Sequence, residues 1–348
     1  MHVLVTGSTG RIGANVVNRL VRRGHRVRAQ VRPGSDRADK LRGLDVEVVT
    51  VDLTDRAGLA ATVRSMEAIV HLGVKLRGPD NYEHLDVNIA PTLTLLEAAR
   101  TLNPNLARFV YGSSDVLYPH AGWMPGLIRD SDKFTRPRGM YAVSKVAGEA
   151  IVQSYHEQYG IPTVTLNIPM TFCGKELLGI RTKEFSPAIA DQIDFLSSRP
   201  ANARTERALK ELRAAQGAGA RWVVPVCAEG PPWTRHLGDV RDVVSAVEAA
   251  LTTQRGVGQA FVIMSDALNY GVGVPHLARA SGRGYVEVIW PYSEHYWYDV
   301  RRSRDLLGYE PEHDSRSILE DAWRHLQGED IGVIDVGPNH PLGGQRTL

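Results

Sequence analysis

Cysteine is scarce: two occur in 348 residues, Cys173 and Cys227, with no CxxC pair. A disulfide framework and a cysteine-based zinc site are both excluded on that count. No apolar run reaches the roughly 18 residues that a membrane-spanning helix needs, so none is expected. An excess of one charge is missing as well, since 41 basic residues face 39 acidic ones and the net charge is +2. Attachment to nucleic acid or to an anionic membrane through bulk charge is therefore not expected. The N-terminus opens directly into strand-like residues rather than a charged and apolar leader, which makes a cytoplasmic protein the expectation. Lysine is short too, supplying only seven of the 41 basic residues.

What is present alternates. Apolar runs at 3–5, 27–31, 46–51, 68–72, 109–111 and 164–168 are separated by helical patterns, notably 11–23, 89–101 and 141–159. The runs lack period-two alternation, as expected of strands covered on both faces. Strand and helix in turn predict an α/β fold with a Rossmann-like, doubly wound parallel sheet. That domain is read over residues 1–170, with later segments near 234–265 returning to it. Residues 171–327 read as a smaller C-terminal α/β substrate lobe. A helix is expected near 205–216, a turn at Pro231-Pro232, and strand or helix at 222–224, 240–251, 261–263 and 318–326. Residues 328–348 are rich in Gly and Pro and are expected to form an extended tail.

TGSTGRIG at 6–13 ends the first strand and opens the first helix. Gly7, Gly10 and Gly13 allow a tight turn and close approach of a pyrophosphate, with Thr9, Arg11 and Ile12 completing the turn. The helix N-terminus adds unpaired N–H groups and partial positive charge. A dinucleotide is the expected ligand. The second strand ends AQVR at 29–32, without the acid that would bind the adenosine ribose hydroxyls. Arg32, 19 residues after Gly13, suits a 2′-phosphate instead, and Arg11 is expected to add a second positive charge. NADP is preferred over NAD on this reading. Asp52 and Leu53, after the third strand, are candidates for the adenine, with helix capping as the competing role of the acid.

Tyr141 and Lys145 stand four residues apart at the start of a helix, so they share one face. An adjacent ammonium favours phenolate and suits the tyrosine to acid/base work. With twelve tyrosines and seven lysines, chance yields about 0.24 such pairs, and this is the only YxxxK in the chain. YGSSD at 111–115 ends the fifth strand with hydroxyls, where open α/β sheets bind ligands.

These motifs, together with VDLTD at 51–55, VHLG at 70–73, VNIAPTLTLLEAA at 87–99 and LLGYEP at 306–311, resemble an extended short-chain dehydrogenase/reductase of the NAD(P)-dependent epimerase/dehydratase family. The match runs over about residues 1–326. The resemblance implies a catalytic Ser114, a Tyr141 acid/base, and a Lys145 that also holds the nicotinamide ribose. It implies that Asn88 supports the site, and that Leu72, Gly73, Val74, Ile168 and Pro169 line the cofactor. It implies a homodimer through the helices at 89–101 and 141–159.

Departures from the family pattern bear on the substrate. Asp115-Val116 replaces the Asp-Glu pair of nucleotide-sugar dehydratases, which disfavours that reaction. Asn167 and Met170 stand where nucleotide-sugar epimerases carry Arg and Asn, which weakens diphosphate-sugar binding; Arg235 partly restores it. Substrate contacts are expected from Ser114, Asp115, Trp123, Met124, Met170, Arg235 and His236, with aromatic residues of 290–298 and His295 as further candidates or as core packing. No metal site is expected. Three functions compete. The first is a dehydrogenase or reductase acting on a secondary alcohol or ketone of a small, polar, sugar-like molecule. The others are a sugar epimerase that recycles bound NAD and a non-catalytic NADP-binding protein.

Overall fold

The computed structural model describes residues 1–78, 80–119, 126–133, 136–179 and 183–336. Seven strands form one sheet: β1 His2–Thr6, β2 Arg26–Val31, β3 Glu47–Thr50, β4 Ala68–His71, β5 Arg108–Ser114, β6 Thr163–Ile168 and β7 Gln259–Val262. Every pairing is parallel and the spatial order is β7-β6-β5-β4-β1-β2-β3. Strands β4, β5 and β6 are buried along their whole length, polar residues such as Thr165 and Asn167 of β6 included. Edge strand β3 is largely exposed and mixes Glu47 and Thr50 with its valines.

Five helices cover the sheet: α1 Arg11–Arg22, α2 Arg56–Ala61, α3 Ala90–Leu102, α4 Met140–Tyr159 and α5 Val240–Thr252. Alternate residues of β1 feed opposite faces. Val3 and Val5 pack with Val16, Val17 and Leu20 of α1 and Val243 and Val247 of α5. Leu4 packs with Leu59, Leu95, Leu96 and Val152 from α2, α3 and α4. Each such buried side chain stabilises the fold by about 1.5–3 kcal/mol. Strand order reverses between β1 and β4, and the two halves diverge there at their C-terminal ends to leave a crevice.

Two local features seat the helices that carry the site. Gly148 lets α4 close on β5, because a Cβ there would lie 2.0 Å from the Tyr111 hydroxyl. Before α3 the chain makes a π turn over Leu85–Ile89, followed at once by Pro91, whose missing N–H interrupts the helical ladder. That turn carries Asn88.

A second lobe is built on the parallel strands Ala220–Val226 and Gly284–Ile289 and the helices Ile189–Ser197, Ala203–Gly217, Tyr270–Ser281 and Ser315–Leu326. Trp222, Trp233, Trp290 and Phe185 fill its core. Trp290 therefore serves packing, not a pocket wall. Helix Tyr270–Ser281 is not evident in the sequence, since Gly271, Gly273 and Pro275 look like loop. Gly273 is required by the crossing with Ser315–Leu326: a Cβ there would sit 2.4 Å from the Ser315 carbonyl oxygen.

Residues 328–336 have no regular structure but are docked. Asn15 of α1 donates to the Ile334 carbonyl at 3.0 Å and accepts from the Ile334 amide at 2.7 Å. Val336 is buried and Lys175 pairs with Asp335 at 2.7 Å. Among the described residues no helix is long and apolar enough to cross a membrane, and no group of three or more His, Cys, Asp or Glu is arranged for a metal.

Candidate active site

A cavity of about 1690 Å³ runs along the C-terminal edge of the sheet, from the glycine turn to the second lobe. The turn is as tight as its glycines allow. Gly7 has φ +64°, and the Gly10 amide donates to its carbonyl at 2.9 Å. A Cβ on Gly13 would lie 2.1 Å from that carbonyl oxygen, and a Cβ on Gly7 would lie 2.8 Å from the Gly73 amide. Gln30 holds the turn from β2: its side chain accepts from the Gly7 amide at 3.1 Å and donates to the Val51 carbonyl at 2.7 Å. Sequence reading noted only that this strand end lacks an acid and missed the amide that takes its place.

Gly7, Thr9, Gly10, Ile12, Gly13, Leu53, Leu72, Gly73, Val74, Ile168 and Pro169 all line the cavity. Asp52 lines it too, while its carboxylate accepts from the Thr54 amide at 2.9 Å and hydroxyl at 2.7 Å. Those bonds lower its pKa. The neighbouring helix α2 is capped by Asp55 instead.

Arg32 lines the cavity as expected, and the structure adds Ser35 and Arg37 from the same loop. Arg11 lines the cavity too. Its Nε and Nη2 are bound to Glu176 at 2.8 and 2.9 Å, and the Glu176 carboxylate is almost fully buried. The Arg11 charge is matched inside the protein by that carboxylate. Arg37 lies at the cavity on the loop that carries Arg32. Burial lowers its pKa, and the like charge of Arg32 lowers it further.

Ser114, Tyr141 and Lys145 converge on one wall. The Tyr141 phenol is hydrogen-bonded to Ser114. The Ser114 hydroxyl donates to Asp115 at 3.3 Å and accepts from the Val116 amide at 3.2 Å. Lys145 Nζ donates to the Gly112 carbonyl at 2.6 Å and sits 5.9 Å from the Tyr141 ring centre. Burial pushes the Tyr141 phenol up to about 12, with the Ser114 bond working against the rise. Burial pulls Lys145 down to about 8, and Glu149 opposes the fall. For Tyr141 the effect of burial outweighs the lowering that an adjacent ammonium would bring.

Around this trio runs a set of bonds that sequence reading captured only at Asn88. Asn88 lies behind the cavity wall. It accepts from the Lys75 amide at 2.7 Å, donates to the Lys75 carbonyl at 3.0 Å, and donates to Ser144 on α4 at 3.0 Å. His71 joins β1 to α3. Thr6 Oγ1 accepts from the Leu72 and Gly73 amides, so its proton goes to His71 Nδ1 at 2.7 Å. Thr92 donates to the Asn88 carbonyl, so it accepts from His71 Nε2 at 3.1 Å. The imidazole is thereby fixed as neutral, and burial lowers its pKa to about 3. Glu149, one turn after Lys145, accepts from Ser113 at 2.5 Å and Asn167 at 2.6 Å and pairs with Lys133.

Toward the second lobe, Asp115, Met170, Arg235 and His236 line the cavity. Arg235 is 5% exposed, so it is no surface arginine. His236 is neutral as well: Nε2 donates to the Ser265 carbonyl, Nδ1 accepts from the Tyr298 amide, and burial lowers its pKa to about 4. From the 290–298 run, Glu294 and Tyr296 reach the cavity. Trp123 and Met124 lie outside the described residues.

A crevice at the strand-order reversal, a glycine turn at its mouth and the Tyr-Lys helix at its wall agree with the comparison to known families. The model of the NAD dependent epimerase/dehydratase family matches residues 3–263. The chain belongs to that family. Among curated members similar to it are sterol demethylase protein B of Methylococcus capsulatus, 40% identical over 116 residues, and UDP-glucuronate 4-epimerase 1 of Arabidopsis thaliana, 34% identical over 178. Uronate dehydrogenase of Pseudomonas putida is 28% identical over 177. These matches cover 33%, 46% and 49% of this chain and 34%, 40% and 61% of the relatives, so the chain spans about half or less of most of them. Among solved structures, a short-chain dehydrogenase/reductase superfamily protein from Agrobacterium tumefaciens with bound NAD superposes with a TM-score of 0.73. It is 26% identical, and the match covers 94% of this epimerase/dehydratase-family chain and 98% of that one.

Proposed function

We propose that the chain is an NAD(P)-dependent oxidoreductase that moves a hydride between the nicotinamide and a secondary alcohol or ketone carbon of a small, polar, sugar-like substrate. One observation carries this reading: Ser114, Tyr141 and Lys145 share a wall of the cavity that begins at the glycine turn. The turn fits a dinucleotide, since Gly7 and Gly13 leave no room for a Cβ and α1 aims its N-terminus into the same space. Gly7, Gly10, Gly13, Asp52, Gly73 and Ile168 would hold the cofactor, which when bound supplies or accepts the hydride.

The chain's own residues handle the proton. At neutral pH the Tyr141 phenol is protonated, which suits it to protonate the substrate oxygen during reduction. Ser114 orients that oxygen from beside the phenol. Lys145, pinned by the Gly112 carbonyl, brings a cation to the same wall and would hold the nicotinamide ribose. Asn88 and His71 lock the supporting backbone in place.

NADP is the favoured cofactor, supported by Arg32 and Arg37 on one loop at the cavity and by the missing acid at the β2 end. A homodimer through α3 and α4 is supported by the apolar residues these helices leave exposed, Leu93, Leu102, Val143, Val146 and Tyr159. Substrate-dependent change in nicotinamide absorbance tests the reaction. Tyr141→Phe is expected to lower kcat about 100-fold to 10,000-fold; full turnover by that variant refutes the role. The epimerases among the relatives favour a second reading, sugar epimerisation, which interconverts isomers with no net absorbance change.

A further inference from the structure

The Arg235 environment names the substrate class more closely. Arg235 lies on the short strand Thr234–Arg235, paired with Leu268–Asn269. Its guanidinium sits 4.1 Å from the centre of the Phe185 ring and 5.3 Å from that of Trp233. Glu294 Oε2 is 3.2 Å from its Nε, and Glu184 Oε1 is 3.9 Å from its Nη2. Arg235, Glu184, Glu294 and Phe185 all line the cavity. Arg235 Nη1 and Glu294 Oε2 are buried atoms with hydrogen-bonding capacity left unused.

One buried cation is thus held between two carboxyl groups, with burial pushing Glu294 up to about 7 against the pull of Arg235. Of the other described cations in this half of the cavity, Lys183 is paired with Asp194, and Arg199 rests on the Phe195 ring at 4.7 Å. A diphosphate entering here meets the Glu184 and Glu294 carboxyl groups beside Arg235, the buried arginine of this half, and like-charge juxtaposition disfavours binding. The cofactor half differs in kind, with Arg32 and Arg37 on one loop. Hydroxyl groups suit the Arg235–Glu294 pair, because a hydroxyl accepts from the guanidinium and donates to the carboxylate. The Phe185 and Tyr296 rings offer an apolar wall for the C–H face of a ring.

We infer that the substrate half takes an uncharged polyhydroxylated molecule, a free sugar or cyclic polyol, and that Glu184 and Glu294 exclude phosphorylated and nucleotide-diphosphate sugars. The inference rests on the hydride-transfer reading above. The test titrates UDP into the cofactor-loaded protein by calorimetry. Wild type is expected to show no saturable binding below millimolar UDP. The variant carrying Glu184→Gln and Glu294→Gln is expected to bind UDP at least about tenfold more tightly, with cofactor affinity unchanged. Should that variant fail to fold, Glu184→Gln alone, at a partly exposed position, carries the same expectation. Micromolar UDP binding by wild type overturns the inference, as does a folded variant with no gain in UDP affinity. Nicotinamide absorbance separates the two levels. Turnover of an alcohol through Tyr141 by a protein that binds UDP tightly leaves the hydride-transfer reading standing and removes only the exclusion. A protein that excludes UDP as expected but turns over no alcohol or ketone, free sugars and polyols included, keeps the exclusion and removes the hydride-transfer reading.

Discussion

Replacing Gly13 by alanine tests how the cofactor turn is built. The added Cβ would lie 2.1 Å from the Gly7 carbonyl oxygen, 2.8 Å from its carbon and 3.0 Å from the Ser8 Cα. All three are backbone atoms, so no side chain can swing aside. The turn and the first turn of α1 must part by at least about 1 Å before the contact becomes ordinary. Gly7 has nowhere to retreat, because its own Cβ position already lies 2.8 Å from the Gly73 amide and Gln30 tethers its N–H. Overpacking of this sort costs about 1–3 kcal/mol. The displaced atoms are the ones proposed to meet the pyrophosphate, so cofactor affinity is expected to fall about 10-fold to 100-fold, with a lower melting temperature. Gly24→Ala is the control. Gly24 has φ +79° and open space around a Cβ, so that variant loses some stability and keeps its cofactor affinity. Calorimetric titration of both proteins with NADP and NAD gives the comparison. Cofactor binding by Gly13→Ala within about twofold of wild type refutes the close-approach reasoning.

Lys145, pulled down to about 8, loses its proton as pH rises through that value, so kcat/KM for reduction is expected to fall on the alkaline side. Glu149→Gln removes the charge that opposes this lowering, and its alkaline limb should move to lower pH; an unmoved limb refutes the coupling. Arg37→Ala is expected to weaken NADP about 10-fold while sparing NAD, as read by paired titrations; equal losses contradict the 2′-phosphate assignment. His71 and His236 stay neutral when folded down to about 3 and about 4, whereas the unfolded chain takes protons below 6.5. Each therefore withdraws about 1.4 kcal/mol per pH unit as pH falls below 6.5. His236→Gln keeps a donor for Ser265 and an acceptor for Tyr298, and it should remove about half of that slope in melts across the acid range; an unchanged slope refutes it.

The Rossmann-like half was legible because its physics is local. A strand, a turn and a helix start lie within eight residues at 6–13, and Tyr141 reaches Lys145 within one helical turn. The Arg11–Glu176 pair was not legible because the two residues stand 165 positions apart and no local pattern announces it. Glu149 and Gln30 escaped for the same reason: each looks like an ordinary helix or strand residue until distant backbone is packed on it. Helix Tyr270–Ser281 was hidden by glycines that serve contact with another helix rather than a turn. In the second lobe, where the Arg235 carboxylates come from Glu184 and Glu294, nearly every informative contact is long-range, and the sequence is correspondingly silent.

The order of assembly follows from where β7 and the docked C-terminal segment lie in the chain. Strand β7 joins the sheet only after ninety further residues, which include part of the second lobe and helix α5, and Ile334 then returns to Asn15 of α1. During vectorial synthesis the N-terminal sheet therefore emerges with an open β6 edge and with the α5 side of its core bare; α5 and β7 close both, and Ile334 docks on Asn15 later still. The Rossmann-like half is thus completed by segments distant in the chain, and the Asn15–Ile334 contact lies within one helical turn of the glycine loop.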